Sequence, residues 1–188
     1  MGRPQYEQLI DKDREEKKIK INLLTPSRVI WTEQAWEALL PGLTGGVGVL
    51  WNHATLVTAL DTGLCRILHE IEVEKNKTNT SGDNTETKTE EKKEIEKQIV
   101  WTPIVVCGGL AEIDRNRVTI LASDVEEVFQ VDEKETIKRL EKAILEVEEI
   151  GIIDEENQDH MDKVAEVKKA RAVLQADQYL SDGEDKKQ

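Results

Sequence analysis

The sequence predicts an α+β fold, with an N-terminal antiparallel β-sandwich followed by a C-terminal antiparallel helical hairpin. Two observations carry that expectation. Up to Val131 the chain is a series of short apolar runs of period 2, separated by turn residues, as in sandwiches and barrels. Beyond Val131 the apolar period becomes 3.6, and charged residues fill the intervening positions. A third observation divides the sandwich: composition turns abruptly polar at Glu72 and stays so to Gln98.

The elements follow in order. Residues 1–17 form an acid- and lysine-rich N-terminal extension, and the sandwich is expected over 18–131. Lys18-Ile19-Lys20-Ile21-Asn22-Leu23 alternates as a half-buried strand, Thr25-Pro26-Ser27-Arg28 turns, and Val29-Ile30-Trp31 resumes. Trp36–Leu40 is a short apolar segment cut at Pro41-Gly42. Val47–Leu50 is another strand, followed by Asn52-His53 and then Leu56–Leu60. Asp61-Thr62-Gly63 turns into Leu64–Ile71, which sets Leu64, Arg66 and Leu68 against Cys65, Ile67 and His69. Ile99–Val106 enters Gly108-Gly109, Leu110–Ile113 continues, Asp114–Arg117 turns, and Val118–Ala122 returns.

Residues 72–98 are almost entirely Glu, Lys, Thr and Asn, with Val73 and Ile95 as the apolar exceptions. So little burial cannot repay ordering, which predicts a mobile hairpin insertion rather than a charged helix at Glu86–Lys97. The helical hairpin is expected over 132–180. Asp132 and Glu135 are spaced as a capping box, and Ile137, Leu140, Ile144 and Val147 share one face. Gly151 breaks the first helix. The second runs from about Asp154 or Met161 to Leu180, with a narrow, alanine-padded face that should dock reversibly. Residues 181–188 are expected to be a disordered tail.

Composition narrows the function. The chain of 188 residues carries a net charge of -13, which disfavours nucleic acid as partner and anchoring to anionic lipid. No run approaches the ~20 apolar residues of a membrane helix, and the N-terminus has neither an h-region nor transit-peptide chemistry. Cys65 and Cys107, the two cysteines, lie in apolar strands, which suggests buried thiols in a reducing compartment.

The histidines stand at 53, 69 and 160. A triad on His53 could enlist Ser27, Ser123 and Asp61, but no nucleophile elbow places them. Zinc could recruit Cys65, His69, His53 and Cys107, although their spacing is not that of a ligand set. Gly45-Gly46-Val47-Gly48 lacks the Lys-Ser/Thr and the helix of a phosphate loop, so its glycines suit a bent strand.

Four segments together, LLTPSRVIW (Leu23–Trp31), GGVGVLWNHAT (Gly45–Thr55), LDTGLCRI (Leu60–Ile67) and GGLAEIDRNRVTILASD (Gly108–Asp124), resemble the epsilon subunit of F-type ATP synthase in order and spacing. The resemblance is closest to the plastid and cyanobacterial branch, at LTPSRVIW and at KKARAVLQA (Lys168–Ala176). It implies a non-catalytic rotor subunit of the central stalk with no cofactor and no catalytic or metal-binding residues. Its implied partners are the gamma subunit, the polar loops of the c-ring and, through the hairpin, the alpha/beta catalytic head, where it restrains ATP hydrolysis. Neither nucleic acid nor direct membrane insertion is implied. The implied location is the stromal side of the plastid thylakoid membrane, with the cytoplasmic face of a bacterial membrane or a mitochondrial inner membrane as alternatives.

By the same resemblance, Gly46, Val47, Trp51, Asn52, His53 and Arg171 are interface positions. The family corner usually reads G-E-x-G-[IV]-L-P-x-H-x-P; here Gly46 stands for the acid, Trp51 for the first proline and Thr55 for the second. At the positions of an [IL]-D-x-x-R-A nucleotide motif stand Val131, Asp132, Glu135 and Thr136, without the Arg and Ala, so tight ATP binding is not expected. A free-standing acidic sandwich that acts as an adaptor is the alternative from another class.

Overall fold

The computed structural model describes residues 17–77, 92–127, 133–150 and 158–184. Seven strands are followed by two helices: β1 (Ile19–Leu24), β2 (Val29–Gly42), β3 (Gly45–Leu50), β4 (Leu56–Leu60), β5 (Gly63–Lys77), β6 (Lys92–Asp114), β7 (Arg117–Glu127), α1 (Glu133–Ile150) and α2 (Gln158–Glu184). The β-sandwich followed by a helical hairpin is therefore the architecture found. Adjacent strands pair antiparallel except β1 and β7, which run parallel. Since β1 also pairs with β2, β2 with β5, β5 with β6 and β6 with β7, these strands close into a flattened ring. Its core is aliphatic: Ile19, Ile21, Leu23, Leu40, Val49, Ile67, Val106, Ile113, Val118 and Ile120 are all buried.

Two long strands keep an inward face by re-phasing. Along β6, Ile104 and Val106 point to the core before Gly108-Gly109, whereas Ala111 and Ile113 do so after it. Here β6 passes from β5 to β4 as its partner and changes inward phase without slipping against β7, whose pairing runs from Cys107↔Asp124 to Gly109↔Ala122 with the Gly108 level left out, so both halves bury their apolar side chains. Gly108 and Gly109 have φ of 60° and 138°. A Cβ on Gly109 would lie 2.2 Å from the Leu121 carbonyl oxygen.

The segments expected as separate strands at Val29–Trp31 and Trp36–Leu40 are one strand, β2. Its register slips between Ala35 and Glu37. Ahead of the slip Trp31 and Ala35 face the core; beyond it Ala38 and Leu40 do. The first half pairs with β1 and the second with β3, so the strand bends from one side of the sandwich to the other.

Further expectations need correcting. β5 and β6 remain paired into the segment expected as a mobile insertion, from Ile71↔Gln98 out to Lys77↔Lys92, because a regular ladder satisfies these polar backbones without burial. Residues 78–91 lie outside the described residues, as does the extension over 1–16. α2 continues through residues 181–184, into the expected tail; 185–188 are outside the described residues. On α1 the buried side chains are Thr136 and Ala143, while Ile137 and Ile144 stay exposed. These small residues, seven apart, recur on one face of the helix and permit close approach. Val131 and Asp132 lie outside the described residues, and the side chains of Glu135 and His160 outside the described side chains. Among the described residues no helix is long and apolar enough to cross a membrane.

Candidate interaction surfaces

Three surfaces stand out: a corner after β3, the underside of α2, and an uncovered apolar row. At the corner, Trp51 and Asn52 form a turn, with Asn52 in the left-handed region at φ 62°. The His53 amide donates to the Leu50 carbonyl, 3.2 Å, and closes it. The Asn52 amide donates to Asn116 Oδ1, 2.6 Å, across to the β6–β7 turn, and Thr55 Oγ1 donates to Asp114 Oδ1, 3.1 Å. His53 Nδ1 lies 2.7 Å from the Ala54 carbonyl oxygen, so as a donor it braces its own turn. These bonds hold the Trp51 indole partly in water.

Gly46 and Val47 are at the opposite end of β3, paired with Pro41 and Leu40. Gly46 and Trp51 are separated by roughly 17 Å of strand. Gly46 is exposed with nothing near the position of a Cβ, and Val47 packs partly on the core. Arg171 is exposed on α2. The structure brings Trp51, Asn52 and His53 together at one end; Gly46, Val47 and Arg171 do not join them.

The residues weighed for zinc are likewise dispersed, and among the described residues no three metal-ligating side chains converge. Cys65 is buried in the core, where desolvation pushes its thiol up to about 12. Cys107 is not a core residue as expected. The outward phase of β6 before Gly108 leaves it half-buried beneath the hairpin, and burial raises its pKa too. His69 is buried against Trp31, edge to face at 4.7 Å, with Nε2 2.8 Å from Thr102 Oγ1. Its Nδ1 lies 3.3 Å from Glu33 Oε2 but out of line for a hydrogen bond. Burial lowers its pKa, against the pull of Glu33.

The underside of α2 meets the outer face of β5 and β6. Ala172, Val173 and Ala176 bury against Val105, with Leu64 and Leu180 packed at the margin. Polar contacts surround this small apolar seam. Lys168 Nζ donates to both Asp61 oxygens at 2.8 Å, which holds that carboxyl below the usual range. Lys169 Nζ lies 3.0 Å from Glu126 and 3.5 Å from Asp124. Burial works against the Lys169 charge, but the hydrogen bond to Glu126 and the neighbouring Cys107 and Asp124 outweigh it, and its pKa is raised. Arg66 places its guanidinium 5.2 Å from the Tyr179 ring centroid and 5.9 Å from that of Trp101. Between seam and hairpin is a cavity of about 280 Å³ lined by Cys107, Asp124, Arg139, Glu166 and Lys169 among others. Sequence reasoning found the alanine face but none of these ionic partners, because pairing between residues so far apart in the chain, 107 for Lys168 and Asp61, leaves no local pattern.

The third surface is the outer face of β4, β6, β7 and β1. Ala59 pairs with Leu110, Leu110 with Leu121, Leu121 with Leu24, and Leu24 with Val29. Leu110, Leu121, Val29 and nearby Val57 are 40–59% exposed, an apolar row that nothing in the chain covers among the described residues. Exposed apolar patches of this kind mark interaction sites.

A family model described as the beta-sandwich domain of the ATP synthase delta/epsilon chain matches residues 18–82. The chain is 47% identical over 161 residues to the chloroplastic ATP synthase epsilon chain of Thalassiosira pseudonana, covering 86% of this chain and 97% of that one. It is 44% identical over 163 residues to that of Phaeodactylum tricornutum (87% and 98%) and 34% identical over 158 residues to that of Cyanidium caldarium (84% and 95%). The fold is similar to a chain of the Euglena gracilis mitochondrial ATP synthase, with TM-score 0.57 and 18% identity over 85% of this chain and 81% of that one.

Proposed function

Since the chain belongs to the ATP synthase epsilon-chain family, we propose that it is the non-catalytic central-stalk rotor subunit of a plastid proton-translocating ATP synthase, joining gamma to the c-ring and restraining ATP hydrolysis through its helical hairpin. The observation that carries this reading is how lightly α2 is docked. Apart from a valine and a margin of leucine, its seam consists of alanines. Each alanine methyl contributes only about 0.8 kcal/mol by burial, so docked and released hairpins differ by a few kcal/mol, as a switching element requires.

The remaining surfaces suit the other contacts. The apolar row from Ala59 to Val29 is a face for gamma, and the Trp51–His53 corner an apolar-tipped contact for c-ring loops. The extended hairpin would reach the alpha/beta head. The chloroplastic relatives support a place on the stromal side of the thylakoid membrane.

The test is a chain cut after Val131, assembled into the holoenzyme. The complex should assemble with gamma and the c-ring, recovered by mild-detergent pull-down, and hydrolyse ATP several-fold faster under conditions that suppress the intact enzyme. Unchanged hydrolysis would refute the inhibitory role, and failure of gamma and the c-ring to co-purify with the intact chain would refute the rotor assignment.

A further inference from the structure

The sandwich is acidic where the hairpin lies on it. Asp61 on the β4–β5 turn and Asp124 and Glu126 on β7 face α2, and α2 answers with consecutive lysines, Lys168 and Lys169. The chain as a whole is dominated by acid, 39 Asp and Glu against 26 Lys and Arg, so an unmatched approach of its parts is repulsive. Asp61 is itself fixed: its carboxylate accepts from the Thr62 amide, 2.8 Å, and its own amide donates to the Pro41 carbonyl, 2.9 Å. Lys168 therefore meets an anchored acceptor rather than a mobile side chain. Lys169 is the more enclosed of the two, seated between two carboxylates.

We propose that Lys168 and Lys169 form an electrostatic latch with Asp61, Asp124 and Glu126 that sets the docked population of the hairpin, making docking sensitive to ionic strength rather than governed by apolar burial. The apolar seam selects where α2 lies, because only small residues fit there. The lysines decide how long it stays. Losing either leaves sandwich carboxylates facing the acidic hairpin without a counter-charge, so release is favoured from both sides. The latch deepens the reading of the hairpin as an inhibitory element, yet its chemistry belongs to the isolated chain and can be measured there.

Cys107 provides the readout, since it is half-buried beside Lys169 while Cys65 is sealed in the core. Alkylation of the full-length chain by a maleimide, followed by mass spectrometry, reports release of the hairpin at Cys107; a Cys107→Ser chain should remain unlabelled. Asp61→Asn and Lys168→Gln, neither of which lines the cavity at the thiol, should raise the labelling rate about five- to tenfold at low salt. Added salt should accelerate the parent chain and have little effect on a Lys168→Gln/Lys169→Gln chain. Labelling rates unchanged in both single variants, or a parent rate indifferent to salt, would overturn the latch. Hydrolysis by the truncated holoenzyme tests the inhibitory reading separately, so each can fail alone.

Discussion

At Gly109 a single hydrogen atom is all the fold can admit. Its φ of 138° and the Leu121 carbonyl 2.2 Å from a would-be Cβ make Gly109→Ala strained and clashing at once. It should cost about 2–4 kcal/mol in urea denaturation, well above an ordinary Gly→Ala change. Asn116 permits a cleaner measurement. Gly tolerates its φ of 62° but cannot accept the Asn52 amide, so Asn116→Gly isolates that hydrogen bond, at about 1 kcal/mol. His69 gives a pH signature. Burial lowers its pKa below 6.5, so the unfolded chain takes up a proton that the folded chain resists. The stability is present above pH 6.5 and is lost as pH falls from there toward the lower folded value. Denaturation midpoints should fall across that window, and His69→Gln should flatten the slope.

At the level of elements, the seam under α2 allows little change in size. Ala176 is fully buried there, and Ala176→Leu should overfill it, costing about 1–3 kcal/mol of docking. Hydrogen exchange should then show the amides of α2 exchanging faster while those of β1 and β7 keep their protection; slowed or unchanged exchange in α2 would argue against tight packing. The same elements show what the residue pattern made legible. β1, β3, β4 and β7 fall where period-2 alternation puts them. The joints did not read through: β2 looked like two strands because its inward phase changes between Ala35 and Trp36. A bulge moves the pattern by one residue, and an alternation test reads that as an end. In β6 the glycines marked the joint, since positive φ has a residue signature and a register slip has none. Cys107 was misplaced because the inward phase of β6 changes just after it, at Gly108, without any slip of register, and leaves its side chain on the outer face. The corner at Trp51–His53 was legible as a tight turn, but its bracing by Asn116 and Asp114 was not, because those partners come from a distant hairpin.

For the whole molecule, assembly and stability should separate. Trp51 is 43% exposed and its indole makes no hydrogen bond or ring contact among the described residues, so Trp51→Ala should leave the isolated protein within about 0.5 kcal/mol of the parent. In the holoenzyme it should weaken retention of the c-ring in detergent, measured as c-ring recovered per gamma; full retention would remove Trp51 from that contact. The ring of strands has a consequence for how the molecule comes into being. β1, made ahead of the other described strands, keeps one edge unpaired among them until β7 arrives to lie parallel along it. Closure between such remote segments is slow on entropic grounds and makes strand pairing, not helix formation, the rate-setting step. Everything the ring needs has nonetheless been synthesised by Glu127. The hairpin is thus a late arrival on a finished body, and a ribosome that stops before α1 would still release a folded sandwich.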